Sequence, residues 1–168
     1  SPSGNHALGL MIEDLLYQRT QLLKIIRLIR QEVRANASLH ETLSLLETVP
    51  GLGFVSALTF YSEIIDITRF KQFDQLKSFL GLVPSTQSSG DKNVQFGLTT
   101  RHNRHLRYVL IESAWVAIRK DPALLEAYHQ LTKRLKPQQA IIRIATKLLS
   151  RIRHVWLTKQ PYCLSVIG

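Results

Sequence analysis

The sequence has one cysteine, no long apolar run and few acidic residues in its last two-fifths. Because Cys163 is the only cysteine, a disulfide framework and a cysteine-based zinc site are both excluded. No apolar run approaches the roughly 18 residues that a membrane span requires, so no membrane partner is expected. The sequence also has neither a Walker loop nor a dinucleotide fingerprint.

The first five residues lack an initiator Met and do not resemble a signal peptide. We therefore expect a soluble, intracellular piece of a longer protein. A cloning remnant is an open explanation for its first residues. The chain of 168 residues, 45% apolar and 20% charged, suits one globular domain or a domain with an extended helix.

The basic excess is confined to the end of the chain. Residues 1 to 100 hold 9 basic and 9 acidic side chains, whereas residues 101 to 168 hold 13 basic and 3 acidic ones, so the net charge of +10 belongs to the last part. This asymmetry indicates a polyanionic partner, with a solvated basic face as the alternative. The six histidines lack metal-ligand spacing with carboxylates, and two of them lie among arginines, so no metal site is expected in this chain.

A heptad pattern runs from Leu8 to Val33, in which apolar residues alternate at spacings of four and three and only Arg19 interrupts the series. It predicts a long coiled-coil-like helix over residues 1–37 that packs against a second subunit or a helix of the same chain. A helical domain is expected over residues 38–160, with residues 161–168 as a tail.

Local signals predict the helices of that domain. Ser38 is expected to cap one helix and Asp74 another, with Gly81 as a left-handed stop. The stretch 54–65 is expected to be helical, and the residues expected near one face are Val55, Leu58, Thr59 and either Tyr61 or Ser62. Further helices are expected from Asn103 to Lys120 and after Asp121-Pro122 and Lys136-Pro137. The predicted fold is mainly α: a long N-terminal heptad helix, then a helical domain with a helix-hairpin-helix and one long polar loop near residues 82–100, where 94–96 is a short strand or simply extended.

Two segments, one rich in glycine and one rich in arginine, are candidate phosphate-binding sites. The turn from Val49 to Gly53 joins two apolar helices, and its Gly51 and Gly53 would let backbone amides approach a phosphate. The alternative is an ordinary packed helix pair. Thr100, Arg101, Arg104 and Arg107 form the second candidate, because cations in the first turn of a helix oppose its dipole unless an anion binds there. The alternative is that Arg104 and Arg107 simply project into water.

A basic row at a spacing of four is formed by Arg143, Lys147 and Arg151. With the cluster at 101–107 it suggests a surface that follows a nucleic-acid backbone, although a solvated helix face has the same pattern. In the polar loop, Ser88 and Ser89 precede Gly90, and by their chemistry alone they are turn residues or a nucleophile that needs arginines nearby.

In order along the chain, several short motifs resemble one family of proteins. They are Val49-Pro50-Gly51-Leu52-Gly53, Ile67-Thr68-Arg69-Phe70, Phe79-Leu80-Gly81-Leu82-Val83-Pro84, Ser89-Gly90 and Asn103-Arg104-His105-Leu106-Arg107 with Ala114-Trp115 following. Over about 110 residues they resemble the C-terminal domain of bacterial insertion-sequence transposases related to the Piv-type DNA invertases, a group that includes bridge recombinases. The heptad helix resembles the coiled-coil linker of these proteins.

The resemblance implies a DNA transposase or recombinase in the bacterial cytoplasm, associated with the nucleoid. It places a serine nucleophile for strand cleavage and rejoining at Ser89, with Ser88 as the less favoured alternative. It also implies a ribonuclease-H-like domain before this chain that binds divalent metal (Mg), so no cofactor is expected here and the chain alone is expected to be inactive. DNA, a guide RNA and a second copy paired through the heptad helix are the implied partners. The competing hypothesis is a DNA-binding and oligomerisation module without chemistry.

Overall fold

The structure, a computed structural model, describes residues 2–82 and 103–164. In these ranges it contains helices and no strand, which confirms the mainly α prediction; the predicted extended segment 94–96 lies outside them. The helices are α1 (Pro2–Ala35), α2 (Ala37–Glu47), α3 (Phe54–Ile64), a 3₁₀ turn (Ile67–Arg69), α4 (Phe73–Phe79), α5 (Arg104–Lys120), α6 (Pro122–Thr132) and α7 (Pro137–Thr158). None of the helices in the described ranges is long and apolar enough to span a membrane.

The chain divides into two compact units, Ser1–Glu41 and Thr42–Gly168. The first unit consists mainly of α1, so the predicted long N-terminal helix is confirmed. Three residues of its heptad series, Leu8, Leu15 and Leu22, are 58%, 63% and 57% exposed. What packs against this apolar series therefore stays a prediction.

Two predicted helix caps lie two residues away from the observed ones. Asn36, rather than Ser38, precedes α2, and its side-chain oxygen accepts a hydrogen bond from the Leu39 amide at 3.1 Å. Helix α4 is preceded by Gln72, whose amide donates to the Gln75 side chain, and Asp74 lies in its first turn. Both predictions failed because more than one polar side chain stands near each helix start, and Ser38 and Asp74 lie inside the observed helices.

The face of α3 on which Val55, Leu58 and Thr59 were expected is not its buried face. Its buried residues are Phe54, Ala57, Phe60 and Ile64, whereas Val55 is 54% exposed. Apolar residues surround almost the whole of this helix, so their period could not select one side. The helix ends at Ile64, one residue earlier than predicted.

Helices α5, α6 and α7 pack against one another and form the core of the second unit. Helix α7 has a buried apolar stripe, which consists of Ile141, Ile144, Ala145, Leu148 and Ile152. Trp156 lies at its edge, half-buried and stacked on Tyr61 of α3 with ring centroids 5.9 Å apart.

The three predicted starts of the later helices are confirmed. Asn103 caps α5 by accepting from the Leu106 amide, and Asp121 caps α6 by accepting from the amides of Ala123 and Leu124. Prolines occupy the first positions of α6 and α7, where the missing N–H costs no hydrogen bond. Gly81 has φ +67° and provides the predicted left-handed stop after α4.

Candidate functional site

The predicted nucleophile lies between α4 and α5. Ser89, the alternative Ser88 and the predicted phosphate ligands Thr100 and Arg101 all fall within residues 83–102, outside the described residues. Their roles stay predictions. The two ends of this stretch are described, and they carry the remaining predicted ligands Arg104 and Arg107.

Hydrogen bonds join these two ends. The Asn103 amide donates to the Phe79 carbonyl at 3.0 Å, and Nη1 of Arg107 donates to the Gly81 carbonyl at 3.1 Å. The end of α4 and the start of α5 are therefore adjacent. The chain departs after Leu82 and returns at Asn103 beside its point of departure.

A third helix contacts the place where the end of α4 meets the start of α5, which we call the α4–α5 junction. Nδ2 of Asn103 donates to Oε2 of Glu63, near the end of α3, at 2.5 Å. Asn103 thus caps α5 with its oxygen and contacts α3 with its nitrogen. The cap was predictable from the sequence, whereas the pairing with a residue 40 positions away was not.

The two arginines at the start of α5 have different surroundings. Arg104 is exposed, whereas Arg107 is half-buried and bonded to the Gly81 carbonyl. Because a guanidinium has five N–H donors, one bond to a carbonyl leaves Arg107 with donors for a phosphate. Arg104 has the more open position.

Arg69 and Arg153 contact the residues around the same junction, and neither was predicted as a functional residue from the sequence. The Arg69 guanidinium lies 4.7 Å from the Phe70 ring centroid and 5.1 Å from that of Phe79, a cation–π arrangement. Nη2 of Arg153 on α7 donates to the carbonyls of Phe70 and Lys71 at 3.1 and 3.2 Å. Arg69 lies in the motif Ile67-Thr68-Arg69-Phe70, so the sequence offered a signal for it. The Arg153 contacts join residues more than 80 positions apart, and no local sequence pattern indicates them.

The two glycines of the turn between α2 and α3 differ sharply. Gly51 has φ +88°, and a β-carbon there would lie 2.1 Å from the Ser113 carbonyl oxygen of α5. Gly53 precedes α3 with φ −104° and no side-chain cap, and a β-carbon there would meet nothing within 4 Å. Gly51 therefore permits close packing of the turn on α5. Gly53 is exposed at the start of a helix, where backbone amides can bind an anion.

The basic row on α7 divides into two parts. Arg143 and Lys147 are exposed. Arg151 is half-buried, and its Nη1 lies 2.5 Å from Oδ2 of Asp121 and also bonds to the Tyr162 hydroxyl. Arg151 thus has an intramolecular partner 30 residues away in the sequence, which no local pattern indicates.

Asp121 is the acidic centre of this cluster, with a side chain that is fully buried. Burial acts to raise its pKa, but hydrogen bonds from the Tyr162 hydroxyl and the Leu124 and Ala123 amides, together with the Arg151 charge, hold the pKa below its ordinary value. Burial and the neighbouring carboxylate raise the pKa of Tyr162. The carboxylate is therefore charged, paired and inaccessible, as expected of a structural ion pair.

Metal binding finds no support in the described ranges. Nowhere within residues 2–82 and 103–164 do three His, Cys, Asp or Glu side chains come close enough to hold one ion. The expected magnesium ion was assigned to a preceding domain, and its binding there stays a prediction.

Comparison with known proteins identifies the region around the junction. Residues 43–130 match the family described as the transposase IS116/IS110/IS902 family. The transposase for insertion sequence element IS1111A of Coxiella burnetii is 38% identical over 89 residues, which is 53% of this chain and 24% of that protein. The insertion element IS110 uncharacterized 43.6 kDa protein of Streptomyces coelicolor is 27% identical over 148 residues, 88% of this chain and 36% of that protein.

The chain spans only about a quarter to a third of the length of these relatives. No solved structure matches it. The matched region begins in α2 and ends in α6. It therefore contains the turn between α2 and α3 and the α4–α5 junction, and it excludes the basic row on α7. Since the match covers more than half of the 168 residues, the chain belongs to the IS116/IS110/IS902 transposase family.

Proposed function

We propose that this chain is part of a DNA transposase or recombinase, in which it binds the DNA backbone and supplies Ser89 as the nucleophile for strand cleavage and rejoining. The observation that carries the proposal is the family match over residues 43–130, which includes the stretch with Ser89 and both of its ends. Supporting it, those ends are joined at Asn103 and Arg107, beside the exposed Arg104.

The proposed reaction is a phosphoryl transfer in two reversible steps. The Ser89 hydroxyl loses its proton to a base, its Oγ bonds to a DNA phosphorus, and one P–O bond to a deoxyribose breaks, so that the deoxyribose oxygen takes up a proton and leaves as a hydroxyl. A deoxyribose hydroxyl from the joining strand then loses its proton and attacks the phosphorus of the phosphoserine, and the Ser89 Oγ leaves and is protonated again. Cations near the phosphate would stabilise the added negative charge in the transition state, a role that we assign to Arg101, Arg104 and Arg107, with the Thr100 hydroxyl as a further donor.

Backbone contacts outside the reacting phosphate would position the DNA. Gly53 offers amides at the start of α3, with Gly51 beside it shaping the turn, and Arg143 and Lys147 offer charge on α7. Such contacts do not read bases, so affinity should fall with salt and depend little on sequence. A second copy paired through α1, a guide RNA and a magnesium ion bound by another part of a longer protein remain further elements of the proposal. The nucleoid of a bacterial cell is the proposed place of action.

The decisive experiment compares serine variants of the longer protein in a strand-exchange assay. Ser89→Ala should abolish exchange and the protein–DNA adduct that survives denaturation, while DNA binding is retained. Ser88→Ala tests the neighbouring position, and Ser85→Ala is the matched control within the same stretch.

Full strand exchange by Ser89→Ala would refute the assignment of Ser89 as the nucleophile. If Ser88→Ala alone abolished exchange, the nucleophile would be Ser88. If all three variants exchanged strands normally, the alternative module that binds DNA and oligomerises without chemistry would be favoured.

A further inference from the structure

The connection between α6 and α7 carries a concentration of positive charge to which nothing above assigns a role. Lys133, Arg134 and Lys136 follow one another within four residues, and all three are exposed. No acidic residue occurs after Glu126, and Glu126 itself accepts a hydrogen bond from Gln130 two turns before the end of α6. The connection is therefore an almost uncompensated basic surface.

The same charge opposes the dipole of the following helix. Lys136 is the residue before α7, and the first turn of α7 contains no acidic residue. A cation at a helix N-terminus opposes the helix dipole, and three cations this close repel one another. An anion bound there would reverse both effects, and local conflicts of this kind are expected at functional sites.

Helical geometry extends this surface along α7. Residues 136, 143 and 147 differ by seven and four positions, so with 100° per residue they lie on one side of the helix. The buried stripe of Ile141, Leu148 and Ile152 occupies the opposite side. Arg151 lies toward the edge and is occupied by Asp121, so we exclude it from this surface. We call the exposed side chains of Lys133, Arg134, Lys136, Arg143 and Lys147 the basic stripe.

The stripe runs along α7 away from the α4–α5 junction, with Lys147 nearest to it and Lys136 farther from it. Arg153, near the other end of α7, donates to the Phe70 carbonyl; the Phe70 ring contacts Phe79 at 5.4 Å; and the Phe79 carbonyl accepts from Asn103. From Arg153 back to Lys136 is 17 residues, or about 26 Å of helix. One bound duplex would need roughly 8 base pairs to cover that length at 3.4 Å each.

We infer that the basic stripe is a second contact surface for duplex DNA, which holds the phosphate backbone away from the reacting bond through Lys133, Arg134 and Lys136 as well as Arg143 and Lys147. The inference rests on the proposed function for its choice of DNA. Its chemical basis is charge complementarity: exposed cations without compensating carboxylates match a polyanion, and their spread over two segments matches an extended one.

The test is the salt dependence of DNA binding by the 168-residue chain. Fluorescence anisotropy with a labelled 30-base-pair duplex gives the slope of log K against log salt for each variant. Neutralising the connection by Lys133→Gln, Arg134→Gln and Lys136→Gln should reduce that slope by about 2.7, since each phosphate contact contributes about 0.9. Between 50 and 200 mM salt, the wild type should then lose about 40-fold more affinity than the variant.

A matched control removes the same charge elsewhere. Lys24→Gln, Arg27→Gln and Arg34→Gln lie on exposed positions of α1 outside the heptad series, and the slope should stay within one unit of the wild-type value. Far-UV circular dichroism checks that both triple variants keep their helices. Because all six positions are exposed, loss of folding is not expected.

Each outcome separates the inference from the proposal on which it rests. If the wild type bound no duplex at all, the proposed DNA binding would fail. If the wild type bound but the connection variant kept its slope, or if both triple variants changed the slope equally, the basic stripe would be refuted and the serine chemistry would be untouched. A reduced slope with an RNA duplex and not with DNA would overturn the assignment of DNA.

Discussion

Replacing Gly51 with alanine should destabilise the second unit far more than the same change at Gly53. A β-carbon added at Gly51 would lie 2.1 Å from the Ser113 carbonyl oxygen and 3.1 Å from the Ala117 amide nitrogen. Both are backbone atoms of α5, which packs against α6 and α7. They cannot move aside without shifting a central helix.

Two costs add at Gly51. Its φ of +88° lies in the left-handed region, where an L-residue with a β-carbon pays about 1 to 2 kcal/mol. Forcing an additional atom into a packed contact costs about 1 to 3 kcal/mol more. The expected loss is therefore about 2 to 5 kcal/mol, a large share of the roughly 5 to 15 kcal/mol by which a domain is stable.

Tryptophan fluorescence during urea unfolding measures this loss of stability in the second unit of the chain, because both tryptophans, Trp115 and Trp156, belong to that unit. The control is Gly53→Ala: with φ −104° and nothing within 4 Å of the new β-carbon, it should change stability by less than about 1 kcal/mol. If both variants unfolded at the wild-type urea concentration, the close approach of the turn to α5 would be refuted.

Asp121→Asn should lower the free energy of unfolding at pH 7 by about 2 to 4 kcal/mol, because Arg151 loses its charged partner. Since the pKa of Asp121 is lowered in the folded state, its contribution to stability is present above its unfolded pKa of about 4 and disappears as the pH falls through the lowered value. The free energy of unfolding, measured with urea from pH 5 to pH 2, should therefore fall less steeply with pH in the variant than in the wild type. Equal slopes for the two proteins would contradict this. Asn103→Ala should cost about 2 kcal/mol, because the α5 cap and the bond to Glu63 are both lost, whereas Glu63→Ala should cost about 1 kcal/mol. Equal losses in the two variants, measured by urea unfolding, would show that the cap contributes nothing.

The local signals of the sequence predicted where most helices begin. A cap is a hydrogen bond between residues two or three positions apart, as at Asn103 and Asp121, so neighbouring residue types are enough to indicate it. The same locality explains the misplaced caps before α2 and α4, where two suitable side chains competed. The long helix α1 followed from its heptad period alone.

The arrangement of the candidate site was only partly predictable. The sequence indicated Arg104 and Arg107 as neighbours at the start of α5, because they are three residues apart on one helix. It did not indicate that Arg107 bonds to Gly81 or that Asn103 bonds to Glu63. Those contacts join residues 26 and 40 positions apart, and only the packing of α3, α4 and α5 brings them together.

The sequence by itself determined the helical class, the position of the basic excess and the motifs that identify the family, because composition, period and local spacing require no knowledge of tertiary contacts. The tertiary structure decided which members of each pattern are available for binding. Arg143, Lys147 and Arg151 look equivalent at a spacing of four, yet Arg151 is paired with a buried carboxylate 30 residues away. Gly51 and Gly53 look equivalent in one turn, yet Gly51 lies against the backbone of α5. Burial and pairing depend on which helices meet, and that is settled by the packing of the whole core.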